Sequence, residues 1–119
     1  YFKMDMNLIN KNYGKIYLAR YDDKIVGLIF GIVNTVDEID KLSNDCAKTA
    51  SILELNIDTS FRGNGIGKQL LNKMENYFAG MDCKRINIEV FGPNKSALDF
   101  YIKNDYTIRD YTVSKRIWI

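Results

Sequence analysis

Apolar and polar residues alternate over residues 52–57 and again over residues 85–91; between these stretches apolar residues recur every three or four positions. In the first stretch Leu53, Leu55 and Ile57 share one face, with Glu54 and Asn56 opposite. That period of two is the mark of a half-buried strand. The second stretch repeats it, with Ile86, Ile88 and Val90 against Asn87, Glu89 and Phe91. Between them Ile66, Leu70, Leu71, Met74, Tyr77 and Phe78 follow the helical period, and Gly80 is a natural stop. A strand, a crossover helix and a second strand predict a parallel pair joined right-handedly.

Upstream, residues 15–21 and 25–33 predict a hairpin whose polar turn is Asp22, Asp23 and Lys24. Residues 34–50 carry Asp37, Glu38, Asp40 and Asp45 with weak periodicity, and read as a surface excursion with one helical turn at most. These carboxylates lack ordered ligand spacing, so no metal site is expected. Downstream, Gly92 and Pro93 break the second strand. Asn94 is placed to cap a helix whose apolar stripe is Ala97, Leu98, Tyr101 and Ile102. The β-branched and aromatic residues of 106–119 predict one or two final strands. The expected fold is α/β: one domain over residues 1–119, with helices packed on a mixed, mostly antiparallel sheet that contains one parallel strand pair.

Composition narrows the chemistry. A content of 46% apolar and 27% charged residues is ordinary for a globular protein. No run of about 18 apolar residues exists and residues 1–12 lack a secretory pattern, so a cytoplasmic protein without membrane contact is expected. A net charge of +2 gives no argument for nucleic acid. The absence of histidine removes Ser/His/Asp triads, Cys/His dyads and most zinc sites. Cys46 and Cys83, far apart and without CxxC context, read as reduced, partly buried thiols.

The candidate chemistry lies at residues 62–67, Arg-Gly-Asn-Gly-Ile-Gly, between the first strand and the helix. Glycines opening a helix let backbone N–H groups approach an anion, and the helix dipole adds partial positive charge there. A phosphate-bearing ligand is expected. The spacing departs from a P-loop, because Gly67 and Lys68 are followed by Gln69 and the gap from Gly63 is one residue short. It also departs from the dinucleotide fingerprint, being GxGxG and separated from the strand by residues 58–62. Glu89, at the end of the next strand, keeps a nucleotide-dependent dehydrogenase as an alternative.

A second segment sharpens the reading. Asn94, Ala97, Phe100 and Tyr101 follow the second strand, and Arg62, Gly65 and Gly67 follow the first. In order and spacing the two elements resemble the GCN5-related N-acetyltransferase (GNAT) family over roughly residues 15–110. The resemblance implies acetyl-CoA as co-substrate, no metal, and direct transfer to a small-molecule or peptide amine. It implies that the loop of Arg62, Gly63, Asn64, Gly65, Ile66, Gly67 and Lys68 binds the pyrophosphate. It implies that backbone groups of Leu55, Asn56 and Ile57 pair with the pantetheine arm as an added strand would, and that the two parallel strands splay, in the family through a bulge in the first. Asn94 would bond the same arm, with Tyr101 close to the coenzyme. Glu89 or Glu54 would act as base and Tyr101 as acid, and the N–H of Ile57 would stabilise the oxyanion. By strand parity, Glu54 and Glu89 should share the face away from the helix. A non-catalytic CoA-binding or assembly module is the alternative from another class.

The chain also departs from the family pattern. About a dozen residues precede the hairpin, where the family has a strand and two helices, so these elements are expected to be missing. Asn104 and Asp105 stand where a glycine usually follows the second helix; both tolerate left-handed backbone. The 34–50 excursion is long and a candidate to overhang the acceptor, and the apolar tail of residues 111–119 offers a surface for a homodimer.

Overall fold

The computed structural model describes residues 3–7, 14–34 and 48–117. Most of the 34–50 excursion and Cys46 lie outside them. The chain divides into two compact units, Tyr1–Glu89 and Val90–Ile119.

The first unit holds a five-stranded sheet in the order β1-β2-β3-β4-β5. Its strands are β1 (Lys3–Asn7), β2 (Lys15–Tyr21), β3 (Lys24–Val33), β4 (Thr49–Ile57) and β5 (Arg85–Ile88). The first three neighbouring pairs are antiparallel, and β4 with β5 is parallel. Helix α1 (Ile66–Gly80) is the crossover. The mixed sheet therefore stands as expected, with three differences. A strand precedes the hairpin, as β1, where the short leading segment argued against one. The hairpin turn is two residues, because Lys24 already pairs with Tyr21. Asp22 and Asp23 both take left-handed φ, 49° and 65°, which makes the tight turn that matches strand twist. Finally, β5 ends at Ile88 and not at Phe91.

Helix α1 lies on one sheet face. Its Ile66, Leu70, Leu71, Met74 and Phe78 are buried against Tyr17, Ala19, Ile29, Val33, Ala50 and Ile52. Each such side chain contributes about 1.5–3 kcal/mol on burial. Gly31 permits the close approach: a Cβ there would stand 2.6 Å from Cζ of Phe78. Lys15 reaches the same seam from β2, its ammonium 4.7 Å from the ring centre of Tyr77 and 5.7 Å from that of Tyr17. Just past the same end of β3, Asn34 ties down the start of β4. Its Nδ2 donates to Oγ1 of Thr49 (2.9 Å) and Oγ of Ser51 (3.0 Å), and the Ser51 hydroxyl donates back to its Oδ1 (3.2 Å).

The second unit contains α2 (Lys95–Lys103), capped by Asn94 as expected. Asp105 adopts φ 74°, so the turn after the helix survives without glycine. Residues 106–117 carry no strand, contrary to the expectation from their composition. Tyr111, Val113 and Ile117 are more than four-fifths exposed. High β-propensity describes fitness for a pleated, half-buried surface, and it makes a strand only where a neighbour pairs.

Candidate functional site

The central observation is where β4 and β5 stop pairing. Their register runs from Thr49–Arg85 to Ile52–Ile88 and ends there, while β4 continues to Ile57. At that point β4 also slips against β3. Phe30 pairs with Glu54 but Gly31 pairs with Ile52, leaving Leu53 as an extra residue. Such a bulge bends its strand and locally increases twist. It also corrects the expected parity. Ile52, opposite Gly31, faces α1 at 4% exposure, whereas Leu53 is 55% exposed and does not join Leu55 and Ile57 on that face. Ile57 does face α1, since its Cδ1 would lie 3.0 Å from a Cβ on Gly27.

Backbone direction follows from one hydrogen bond. The N–H of Asp58 donates to the carbonyl of Val26 on β3 (2.8 Å). Amide direction alternates along a strand. The backbone groups of Asn56 therefore point into the β3 ladder, and those of Leu55 and Ile57 point the other way. On that side β5 has already parted from β4. Of the three residues expected to offer backbone bonds, Leu55 and Ile57 are aimed into the opening and Asn56 is not. The carbonyl of Ile57 accepts from Nε of Arg62 (3.1 Å).

The opening runs directly into the glycine loop. Asp58 caps a 3-10 turn over Thr59–Phe61, its carboxylate accepting from the N–H of Ser60 (3.1 Å). Asn64 donates to the carbonyl of Phe61 (3.1 Å). Gly63 and Gly65 then take φ of 83° and 78°, the left-handed region that only glycine enters cheaply. A Cβ on either would meet nothing within 4 Å, so backbone conformation and not crowding selects glycine here. Gly65 leaves the start of α1 without a side-chain cap, and no acidic residue occupies the first turn. The leading amides of Ile66, Gly67 and Lys68 are thus orphan donors beside the positive end of the helix dipole.

The loop is also held from behind by residues the sequence reading did not single out. Nζ of Lys24 lies 3.3 Å from Oδ2 of Asp58, and the rings of Tyr21 and Phe61 meet at 5.4 Å. Their only sequence signal is that Tyr21 and Lys24 flank the tight turn of the β2–β3 hairpin. Hydrogen bonding from Ser60, then Lys24, holds the Asp58 carboxyl below the usual range.

Of the proposed bases, Glu54 is exposed on the sheet face away from α1, opposite Phe30, and accepts a hydrogen bond from Nδ2 of Asn56. Glu89 is exposed and follows the last residue of β5. In the second unit, Oδ1 of Asn94 caps α2 through the N–H of Ala97 (3.2 Å) and also accepts from the Ser96 hydroxyl (3.3 Å). Its side-chain nitrogen has no partner among the described residues, so the cap leaves a donor over. Tyr101 is 8% exposed, packed edge-on against Phe100 and Tyr106. Burial pushes its phenol pKa up, which keeps the proton on oxygen. Cys83 is a free, half-buried thiol, raised by desolvation. Among the described residues no group of three or more His, Cys, Asp or Glu side chains could hold a metal, and no helix is long and apolar enough to cross a membrane.

Comparison with known proteins agrees with this architecture. The model of the acetyltransferase (GNAT) family matches residues 2–106. The chain is 30% identical over 101 residues to an uncharacterized N-acetyltransferase of Methanocaldococcus jannaschii, covering 85% of this chain and 41% of that protein. It is 28% identical over 104 residues to N-alpha-acetyltransferase 60 of Danio rerio, covering 78% and 43%. The chain thus spans about two fifths of the length of these relatives. Among solved structures, an aminoglycoside acetyltransferase from an uncultured soil metagenomic sample superposes with a TM-score of 0.73 at 23% identity, covering 92% of this chain and 68% of that one. That likeness bears on the fold. With a family model matched over nearly the whole chain, a bulged and forked strand pair, and a glycine loop opening the crossover helix, the chain belongs to the GNAT acetyltransferase family.

Proposed function

We propose that this chain transfers an acetyl group from acetyl-CoA to a primary amine by direct attack within a ternary complex. The observation that carries the reading is the fork. Pairing ends at Ile52–Ile88, and the outward backbone groups of Leu55 and Ile57 lie between that point and a loop of uncapped amides. A pantetheine arm carries amides that can complete the missing ladder, and a diphosphate suits the loop. The pieces fit one ligand of that shape.

The chemistry then has defined demands. An ammonium must lose a proton before its nitrogen attacks the thioester carbonyl. Glu54 or Glu89 is the base, directly or through water. The C–N bond forms as the carbonyl oxygen takes up negative charge, and the outward N–H of Ile57 is the donor assigned to it. The C–S bond then breaks, and the departing thiolate takes a proton. The family resemblance assigns the donation of that proton to Tyr101, whose hydroxyl is protonated in the folded protein.

The test is to titrate acetyl-CoA calorimetrically and to measure free thiol released with a panel of primary amines. Micromolar binding with amine-dependent thiol release is expected. Binding without release for any amine would leave a non-catalytic CoA-binding module, and no binding would remove the reading altogether.

A further inference from the structure

Arg62 stands four residues after the Asp58 carboxylate, close enough for its charge to help depress that group, yet makes no ion pair with it. Its Nε bonds the Ile57 carbonyl, and its terminal guanidinium nitrogens have no partner among the described residues. The partner of Asp58 is Lys24, delivered by the tip of the β2–β3 hairpin. The same tip is fixed to the loop twice more, through the Tyr21–Phe61 ring contact and the Asp58–Val26 backbone bond. Lys24 is therefore built in beside the loop, not a lysine that happens to pass it.

We propose that Lys24 is a positioning residue for coenzyme binding: by satisfying Asp58 it keeps the Arg62 guanidinium free for the diphosphate. The inference rests on the acetyl-CoA reading and names a residue with no ligand contact assigned to it. Its logic is competition. Arginine forms bidentate pairs with carboxylates as readily as with phosphates. With Lys24 gone, Asp58 keeps only the Ser60 N–H among the described residues, and its charge, already interacting with that of Arg62, would draw the guanidinium into a pair that has to break each time a diphosphate binds. Removing a cation 3.3 Å from Asp58 would then weaken an anion site by trapping another cation.

The competition predicts non-additivity, which a merely structural role would not give. Acetyl-CoA is titrated into wild type, K24M, D58N, K24M/D58N, R62M and K24M/R62M, with thermal melts to verify folding. Exposed ion pairs shift equilibria a few-fold, so K24M should raise Kd about three- to fivefold. K24M/D58N should return to within about twofold of wild type, since an asparagine still caps Ser60 but offers Arg62 no charge. K24M should add nothing in the R62M background. K24R, which keeps the charge, should bind like wild type, and K24Q replaces K24M if the latter misfolds. Wild-type affinity in K24M and K24Q, or a deficit that persists in K24M/D58N, overturns the inference while the acetyl-CoA reading stands. Failure of the wild type to bind acetyl-CoA overturns both.

Discussion

Phe30 pairs with Glu54, and its neighbour Gly31 pairs with Ile52. The one-residue slip between these two pairs sets where the sheet forks. It keeps Glu54 on the face away from α1 while Ile52 stays in the core. Leu53, the residue left over, lies at the position where β4 and β5 stop pairing.

Deleting Leu53 should close the fork. The deletion restores continuous alternation along β4, and β4 and β5 can then pair beyond Ile52–Ile88. The protein should remain folded by circular dichroism, while acetyl-CoA affinity falls roughly tenfold or more, equivalent to about 1.4 kcal/mol. Unchanged affinity in titration calorimetry would detach the bulge from binding.

Gly31→Ala tests the helix seam. Its new methyl would meet Cζ of Phe78 at 2.6 Å and the Ser51 carbonyl at 3.1 Å, and backbone yields less readily than a ring edge. Overpacking of this kind costs about 1–3 kcal/mol. The melting temperature should drop by several degrees, and Phe78→Leu in the same background should recover part of the loss.

Gly65→Glu separates conformation from charge at the loop. A side chain at φ 78° costs about 1–2 kcal/mol, while a carboxylate at a helix start partly offsets that through the dipole. Stability should therefore change little. Binding of acetyl-CoA should vanish, because the carboxylate occupies the place of the diphosphate. Gly65→Ala should weaken binding only modestly, and equal binding losses in the two variants would show that charge is irrelevant there.

Glu54→Gln and Glu89→Gln compare the two candidate bases. Loss of a general base lowers rate by about 100- to 10,000-fold. The variant that loses the acidic limb of its kcat–pH profile identifies the base, and two unaltered profiles would remove both from the mechanism.

Tyr101→Phe should slow turnover by a similar factor with acetyl-CoA affinity nearly unchanged. Burial raises Tyr101 above the ordinary value of 10.0, and Tyr17 is raised by burial and by its neighbour Tyr77. The unfolded chain then loses protons first as the solution turns alkaline. The stability these phenols contribute is fully present below pH 10 and is lost as pH rises through their higher folded values. Denaturant melts above that pH should show a steep decline in wild type and a shallower one in Tyr17→Phe.

Local signals made much of this fold readable. The period of α1, the cap at Asn94, and the paired aspartates of the hairpin turn each act within a few residues. The fork was anticipated only through family likeness. Residues 52–57 read as unbroken alternation, and the slip at Leu53 depends on where β3 fixes its partners. The adjacent apolar residues Ile52 and Leu53 were the one local hint, since strict alternation cannot bury both. Residues 106–117 misled in the opposite direction, having strand composition without strand pairing. The Lys24–Asp58 bond spans 34 positions and leaves no periodic trace.

The paired residues from Thr49–Arg85 to Ile52–Ile88 lie on the closed side of Leu53. They fasten the root of the fork, so the two arms can widen only at the end nearest the glycine loop. A flexible tether threaded from that end meets a blind terminus. How deep its tip travels is then governed by where pairing resumes at Ile52–Ile88, with the protein acting as a gauge of fixed depth.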